Sequence, residues 1–245
     1  MIPRLYCAGE LHVGNRFELP AGPSHHAHDV LRLAAGDAVT LLNGLGGEYR
    51  ARVADISRKR VQVDIEAFDL RESESPFRIT VAQCLASGDK MDWIVEKAVE
   101  LGAVAVQPLA AERSILRLSP ERARKRLAHW RAIAVAACEQ CGRNRIPEIH
   151  AVAALYPWVA SRAGIRGIRL MLSPVHPRPF SALPQPPRGM PVTLLVGPEA
   201  GLSDGEDKAA QAAGFPAVLL GPRVMRTETA ALAALAAIHA RWGDY

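Results

Sequence analysis

The chain has 245 residues, 49% of them hydrophobic and 22% charged, with a formal net charge of +5 and a pI of about 9.3. This composition is ordinary for one or two globular domains, and the positive charge favours a polyanionic partner without establishing one. No run of about 18 apolar residues occurs, four cysteines make no disulfide framework, and the first residues lack a signal-peptide pattern. We therefore expect a cytoplasmic protein without a membrane span.

The first part of the chain, residues 1–72, has the pattern of short strands joined by tight turns. The segments rich in β-branched residues are 39–44, 48–56 and 60–68. In the last of them Val61, Val63, Ile65 and Ala67 alternate onto one face. Because no helical pattern separates these strands, we predict a small antiparallel β-barrel.

A polar stretch at 71–76 ends in a proline and predicts a boundary between two domains, 1–72 and 73–245. Beyond it strands and helices alternate, which predicts an α/β domain with a mainly parallel sheet. Gly102 is expected to stop one helix, Ser203 to open another through a capping box, and Thr227 to cap the last one. The strands are predicted at 78–86, 104–109, 167–173, 192–197 and 217–221, and a long helix is predicted to begin at Ser119-Pro120-Glu121.

Two of these strands are followed by Gly-Pro loops, at 197–201 and 221–226. Open α/β sheets bind ligands beyond the carboxyl ends of their strands, although tight-turn duty alone also explains a Gly-Pro pair. Neither loop has a dinucleotide or P-loop phosphate-binding pattern, which disfavours a dinucleotide oxidoreductase and a P-loop NTPase. A small ligand with an adenosine-like ring is expected rather than a triphosphate.

The segments around the loops are LLVGPEAGLSDGE at 194–206 and LLGPRVMRTETAALAAL at 219–235. They resemble the signature segments of the ribosomal RNA small subunit methyltransferase E family, which belongs to the SPOUT class. Further segments at 25–39, 90–114 and 138–150 agree in the same order. The resemblance implies a PUA-like RNA-binding barrel at the N-terminus and a SPOUT domain with a trefoil knot at the C-terminus.

The same resemblance implies an activity and a set of partners. It implies a homodimer that uses S-adenosylmethionine (SAM) to methylate N3 of a specific uridine in the 16S RNA of the small ribosomal subunit. We expect no metal and no membrane partner. The alternatives are another SPOUT RNA methyltransferase and a catalytically silent RNA-binding homologue.

The resemblance also assigns residues to roles. SAM is expected to contact Leu172, Leu195, Gly197, Pro198, Glu199, Gly201, Leu220, Gly221, Val224, Met225, Arg226, Thr229 and Ala230. The candidate catalytic residues are Arg226, which could stabilise a uracil anion, hold the SAM carboxylate or bind phosphate, and Glu199, which could act as a base or shape its loop. RNA contacts are expected from Arg4, His25, His26, Arg32, Arg113, Arg143 and Arg145.

Other features have simpler explanations. Cys138-x-x-Cys141 lacks the second pair that a four-ligand zinc site needs. The basic run between 113 and 131 is the usual solvated face of a helix, and phosphate contact is equally expected for some of its members. Ala200 stands where the family has glycine, so the loop keeps its usual shape only if Ala200 has a negative φ.

Overall fold

The computed structural model describes residues 2–243, which form two compact units. The first unit comprises the chain up to Glu74 together with Val135–Ile146, and the second comprises Ser75–Ala134 together with the chain from Pro147 onward. The sequence pattern did not indicate that residues 135–146 group with the first unit. The assignment of 1–72 and 73–245 to separate functional domains stays a prediction.

The first unit is built on a five-stranded sheet in the order β1-β3-β4-β5-β2. Its strands are β1 (Arg4–Tyr6), β2 (Arg16–Glu18), β3 (Ala38–Leu42), β4 (Glu48–Ser57) and β5 (Arg60–Asp69). Val61, Val63 and Ile65 of β5 lie in the buried core of this unit, as their alternation predicts. The sheet is not wholly antiparallel, because β1 pairs with β3 in parallel. The long connection between these two strands allows this direction, whereas a tight hairpin would not.

A helical segment that the sequence pattern did not predict lies between β2 and β3. It consists of α1 (Ala21–His25) and a single π-helical stretch (His26–Val30). Ser24 faces the core, where its hydroxyl donates to the carbonyl of Leu19 at 2.9 Å, and Ala27 is fully buried. Helices this short do not repeat their apolar positions often enough for a period of 3.6 residues to be visible.

Buried polar contacts bind residues 135–146 to the rest of the first unit. Arg143 donates from Nε and Nη2 to the carboxylate of Glu74, at 3.1 and 2.5 Å, and its side chain is only 3% exposed. Asn144 is fully buried and accepts a hydrogen bond from Arg4. Polar groups shielded in this way need their partners, so the segment is held in place by these bonds as well as by packing.

The second unit contains an eight-stranded sheet whose described pairs are all parallel. The strands are β6 (Arg78–Cys84), β7 (Ala105–Ala110), β8 (Glu148–Ile149), β9 (Ala153–Ala154), β10 (Ile168–Leu172), β11 (Arg178–Pro179), β12 (Pro191–Val196) and β13 (Ala217–Leu219). The order is β11-β13-β10-β12-β6-β7-β8, and β9 pairs with β7. The mixed α/β class is confirmed, whereas the trefoil knot stays a prediction.

Helices alternate with these strands. They are α2 (Lys90–Glu100), α3 (Pro120–Cys141), α4 (Leu155–Ala160), α5 (Asp204–Ala212) and α6 (Thr227–Trp242), with a short 3-10 turn at Phe180–Ala182. The boundary between the two units falls within α3. Helix α2 packs against α6, and α4 packs against α5. Within residues 2–243, none of the helices combines the length and apolarity that crossing a bilayer requires.

Two of the predicted helix ends are confirmed and one is wrong. Ser203 and Glu206 form both bonds of the capping box that opens α5, and Gly102, at φ +79°, follows α2. Thr227 is not the cap of α6 but its first residue, preceded by Arg226 at the N-cap position. The Thr227 hydroxyl is used elsewhere, since it donates to a carbonyl outside its own helix.

Candidate functional site

Neighbouring parallel strands bring three loops to one edge of the sheet in the second unit. Strands β13, β10 and β12 are adjacent and parallel, so their carboxyl ends lie side by side. The segments that follow them are 220–226, 173–177 and 197–203. Ligands of open α/β sheets bind at this edge, so both Gly-Pro loops lie where a ligand is expected.

Two hollows that share part of their lining open beside the loop after β13. The larger has a volume of about 390 Å³ and the smaller about 70 Å³. Leu220 and Met225 line both of them, and Gly221 adds to the wall of the larger one. The smaller one is also lined by Leu172, Val224 and Ala230. The structure thus gathers these predicted cofactor residues around one region.

The other predicted cofactor residues do not line these hollows. They are Leu195, Gly197, Pro198, Glu199, Gly201, Arg226 and Thr229. Leu195 is fully buried in the core of the unit, so its side chain packs against other apolar side chains. Most of the other residues in this set belong to the loop after β12. A hydrogen bond connects this loop to the end of the loop after β13.

A buried threonine links the two Gly-Pro loops. The hydroxyl of Thr227 donates to the carbonyl of Gly197 at 2.6 Å and accepts from the amide of Gln83 at 2.8 Å. Sequence reasoning missed Gln83, although a polar residue inside the apolar strand sequence RITVAQCLA was a usable signal. A buried amide in a strand requires partners, and these lie in the candidate site.

Glu199 anchors the loop after β12 to the start of α2. Its Oε1 accepts from the Ser87 backbone amide at 2.9 Å, from the Ser87 hydroxyl at 2.7 Å and from Lys90 Nζ at 3.0 Å. Partial burial raises the pKa of Glu199, but these hydrogen bonds outweigh it and lower the pKa to about 2. A carboxylate with so low a proton affinity is suited to shaping the loop and is a poor general base at neutral pH. Ser87 and Lys90 were not identified from the sequence.

The backbone at Ala200, where the family has glycine, takes a conformation that alanine can adopt. The non-glycine residues with positive φ in the described part of the chain are Arg32, Arg58, Lys59 and His176, so Ala200 is not among them. Gly201 takes the left-handed conformation instead, at φ +72°. The usual loop shape requires that Ala200 does not have a positive φ, and this requirement is met.

Arg226 directly precedes α6 and is exposed. Its backbone carbonyl accepts from the amides of Thr229 and Ala230, which begins the helix. Within residues 2–243 its guanidinium forms no hydrogen bond or ion pair. This side chain is therefore available to a ligand, and the fold makes little use of it.

The residues predicted to contact RNA differ in accessibility. Those on the surface are His25, His26, Arg32, Arg113 and Arg145, of which only Arg113 belongs to the second unit. Arg4 and Arg143 are paired inside the first unit, with Glu48 and Glu74 respectively, and their side chains are 9% and 3% exposed. The structure therefore gives these two arginines an internal structural role.

The cysteines of the C-x-x-C segment lie on α3. Burial raises the pKa of the Cys138 thiol to about 12, so it stays protonated at neutral pH. Among residues 2–243 no group of at least three histidine, cysteine or acidic side chains is arranged to hold a metal ion.

Comparison with known proteins supports the family that the loops suggest. A family model described as an RNA methyltransferase domain matches residues 73–239, and one described as an RNA methyltransferase PUA domain matches 23–66. The ribosomal RNA small subunit methyltransferase E of Buchnera aphidicola (subspecies Schizaphis graminum) is 30% identical, over 99% of this chain and 98% of the relative.

Two solved structures are similar along their whole length. The ribosomal RNA small subunit methyltransferase E of Neisseria gonorrhoeae, bound to SAM, is 37% identical with a TM-score of 0.92 over 100% of both chains. A methyltransferase from Legionella pneumophila, also in complex with SAM, is 36% identical with a TM-score of 0.92 over 98% of both chains. The chain belongs to the ribosomal RNA small subunit methyltransferase E family.

Proposed function

We propose that this chain transfers a methyl group from SAM to N3 of a specific uridine in 16S ribosomal RNA. Relatives that share its full length carry the family name, and two similar proteins were solved with SAM bound. The observation that carries the proposal is the junction of both Gly-Pro loops at the ligand-binding edge of the sheet.

The residues around the hollows suit the cofactor. The smaller hollow offers apolar surface to the adenine ring of SAM, from Leu172, Leu220, Val224 and Met225. At Gly221 no heavy atom beyond its two chain neighbours lies within 4 Å of the position of an added Cβ, so a ligand can approach the backbone there. When bound, SAM supplies a methyl group on a sulfonium: the S–C bond breaks, the bond to uracil N3 forms, and the N3 proton is released.

Arg226 is the residue that we assign to the substrate. Uracil N3 becomes nucleophilic only as its proton leaves, and negative charge then develops on O2 and O4. An exposed guanidinium that has no partner among residues 2–243 can donate to either oxygen. Glu199 is assigned to loop anchoring, because its Oε1 accepts three hydrogen bonds and its pKa is about 2.

The first unit is proposed to supply RNA affinity, and the second to supply catalysis. The match of 23–66 to a PUA domain of RNA methyltransferases supports the first assignment. The exposed predicted contacts in the first unit are His25, His26, Arg32 and Arg145. The positive charges of the two arginines suit a phosphate backbone. We further propose that the chain is cytoplasmic and forms a homodimer. Sedimentation of the purified chain tests the oligomeric state.

The test is to locate the methyl group. The protein is incubated with methyl-labelled SAM and either unmodified small ribosomal subunits or protein-free 16S RNA, and the labelled nucleotide is identified by mass mapping. Label on N3 of one uridine is the expected result. Label at another position or in transfer RNA would indicate a different methyltransferase, and failure to bind SAM would indicate a silent RNA-binding homologue.

A further inference from the structure

A buried row of hydrogen bonds runs from the sheet of the second unit to its two Gly-Pro loops. Gln83, at the end of β6, donates to the hydroxyl of Thr227, which in turn donates to the carbonyl of Gly197. Gln83 is 0% exposed and Thr227 is 6% exposed. Since both side chains are buried, a lost bond leaves a polar side-chain group without a partner.

The direction of the bonds follows from the available donors. A threonine hydroxyl has one proton, and a backbone carbonyl can only accept, so that proton belongs to the bond with Gly197. The group of Gln83 that faces Thr227 is therefore its NH₂, which also donates to the carbonyl of Cys84 at 2.9 Å. No apolar side chain can replace a hydroxyl that accepts on one side and donates on the other.

The position of the row matters as much as its chemistry. Gln83 stands opposite Val196 in the register of β6 and β12, directly before Gly197 leaves the sheet. Thr227 comes directly after the loop 221–226 and begins α6. The hydroxyl therefore joins the end of one Gly-Pro loop to the beginning of the other.

We propose that Gln83 and Thr227 are positioning residues that hold the two Gly-Pro loops in the arrangement that binds SAM. They act through the loop backbone and do not touch the reacting atoms. That the ligand is SAM rests on the proposed function. The hydrogen bonds from Gln83 to Thr227 and from Thr227 to Gly197 are independent of it.

The test compares variants with and without the hydroxyl. Thr227→Val keeps the shape but loses both bonds, Thr227→Ser keeps the hydroxyl, and Gln83→Met removes only the first donor. SAM affinity is measured by calorimetry well below each melting temperature, together with KM for SAM and kcat. Thr40→Val is the control, because Thr40 is a threonine of similar exposure, 7%, on β3 of the other unit.

We expect SAM affinity to fall at least tenfold in Thr227→Val and several-fold in Gln83→Met, through a higher KM for SAM. Thr227→Ser and Thr40→Val should stay within about twofold of wild type. Wild-type affinity in folded Thr227→Val would overturn the proposal, and if that variant does not fold, wild-type affinity in Gln83→Met would do so. A wild-type chain that binds no SAM would instead overturn the proposed function.

A second, independent observation concerns the tip of the β4–β5 hairpin. Ser57 pairs with Arg60, so the turn consists of Arg58 and Lys59 alone. Both have positive φ, +48° and +65°, in a turn that favours Asn-Gly. Two consecutive long side chains in this conformation are strained, and such strain persists mainly where the residues have a function.

The charges at this tip contribute little to the fold. Arg58, Lys59 and Arg60 are all exposed. Lys59 lies 3.9 Å from Asp29 and Arg60 lies 3.9 Å from Glu18, which are loose, solvated pairs. Within the described residues Arg58 has no ion-pair partner. We infer that this tip binds the phosphate backbone of the RNA substrate. The inference rests on the proposed function and identifies one surface that contacts the RNA.

The test separates the charge of the turn from its strain. Arg58→Asn with Lys59→Gly removes both, whereas Arg58→Gln with Lys59→Gln removes only the charge. Binding to protein-free 16S RNA is measured over a range of salt concentrations, with melting temperature measured in parallel. Arg166→Gln with Lys208→Gln removes the same charge from exposed positions of the second unit and serves as the control.

Both turn variants should bind RNA about tenfold more weakly at fixed salt, with a shallower salt dependence, and the control should not. Only the Asn-Gly variant should melt at a higher temperature than wild type. Unchanged RNA affinity in both turn variants, or a lower melting temperature for Asn-Gly, would overturn the inference. Methylation by the wild-type chain shows independently whether the proposed function holds.

Discussion

Lys90 holds Glu199 in place at the start of α2, with its ammonium nitrogen 3.0 Å from the carboxylate. The same nitrogen lies 3.8 Å from Glu228 in the first turn of α6. One lysine therefore faces both the loop after β12 and the helix after the other loop. Because Ser87 also donates two hydrogen bonds to Glu199, this carboxylate is an anchor for the loop rather than a proton acceptor.

We expect Glu199→Gln to leave the shape of the pH–rate profile of kcat between pH 6 and 8 unchanged. The folded-state pKa of Glu199 is about 2, so it is already ionised throughout that range and cannot produce a limb. Initial rates at saturating SAM and RNA provide the measurement. If the wild-type profile falls at low pH and this fall is absent in the variant, Glu199 acts as the general base.

The lowered pKa of Glu199 also predicts how stability depends on pH. A carboxyl whose pKa falls on folding stabilises the native state above its unfolded-state pKa of about 4.3. That stabilisation is lost as pH falls through the folded-state value of about 2. In urea titrations the advantage of wild type over Glu199→Gln should be full at pH 6 and smaller at pH 4. An equal difference at both values would contradict the anchoring role.

Gly221→Val should weaken SAM binding at least tenfold without unfolding the chain. The added side chain would enter the hollow of about 390 Å³ that Gly221 lines, and no heavy atom beyond Gly221 and its two chain neighbours lies within 4 Å of its Cβ. Gly164→Val is the matched control, because Gly164 also has a positive φ, +75°, and open space around it, but lines neither hollow. Calorimetric SAM affinity should be normal in the control, and a normal affinity in Gly221→Val would contradict this placement of the site.

Local patterns predicted the elements of this fold where residues interact with near neighbours in sequence. The alternation in β5 is visible within ten consecutive residues, and the capping box at Ser203 is a contact within three residues. Both are confirmed. Gln83 and Thr227 lie far apart in the chain, and only the folded sheet brings them together. The role of Thr227 was missed for this reason: a threonine before a helix has the pattern of a cap whether or not its hydroxyl is used there.

Charged residues were the least predictable from sequence. Arg143 and Arg145 are both basic and close together, yet one is buried against Glu74 and the other is exposed. Nothing in a single sequence shows which arginine will find a buried carboxylate, because the partner is fixed by tertiary structure. The gathering of the Gly-Pro loops was predictable, since parallel strands place their carboxyl ends at one edge.

The Arg143–Glu74 pair should be a determinant of stability. Glu74→Leu leaves a guanidinium that is 3% exposed without its carboxylate, which costs about 3–5 kcal/mol of unfolding free energy. Combining it with Arg143→Met should recover most of that loss. The control is Glu121→Gln, which breaks the exposed pair with Lys125 and should cost less than about 1 kcal/mol. Urea titrations measure all of these, and equal costs for Glu74→Leu and Glu121→Gln would contradict the structural role.

Arg226→Ala should keep its melting temperature within a few degrees of wild type and lose most of its activity. The side chain is exposed and unpaired within residues 2–243, so its removal costs little stability. One well-placed donor to a developing anion lowers the activation free energy by about 3 kcal/mol, or roughly a hundredfold in rate. Arg226→Lys should recover only part of the rate, because an ammonium does not reproduce the geometry of a guanidinium. Arg223→Ala, in the same loop, should raise KM for SAM more than it lowers kcat, since Arg223 lines both hollows. Single-turnover rates at saturating SAM and RNA decide the matter. A near-normal rate for Arg226→Ala would refute the catalytic role, and a loss confined to SAM affinity would make Arg226 a cofactor-binding residue.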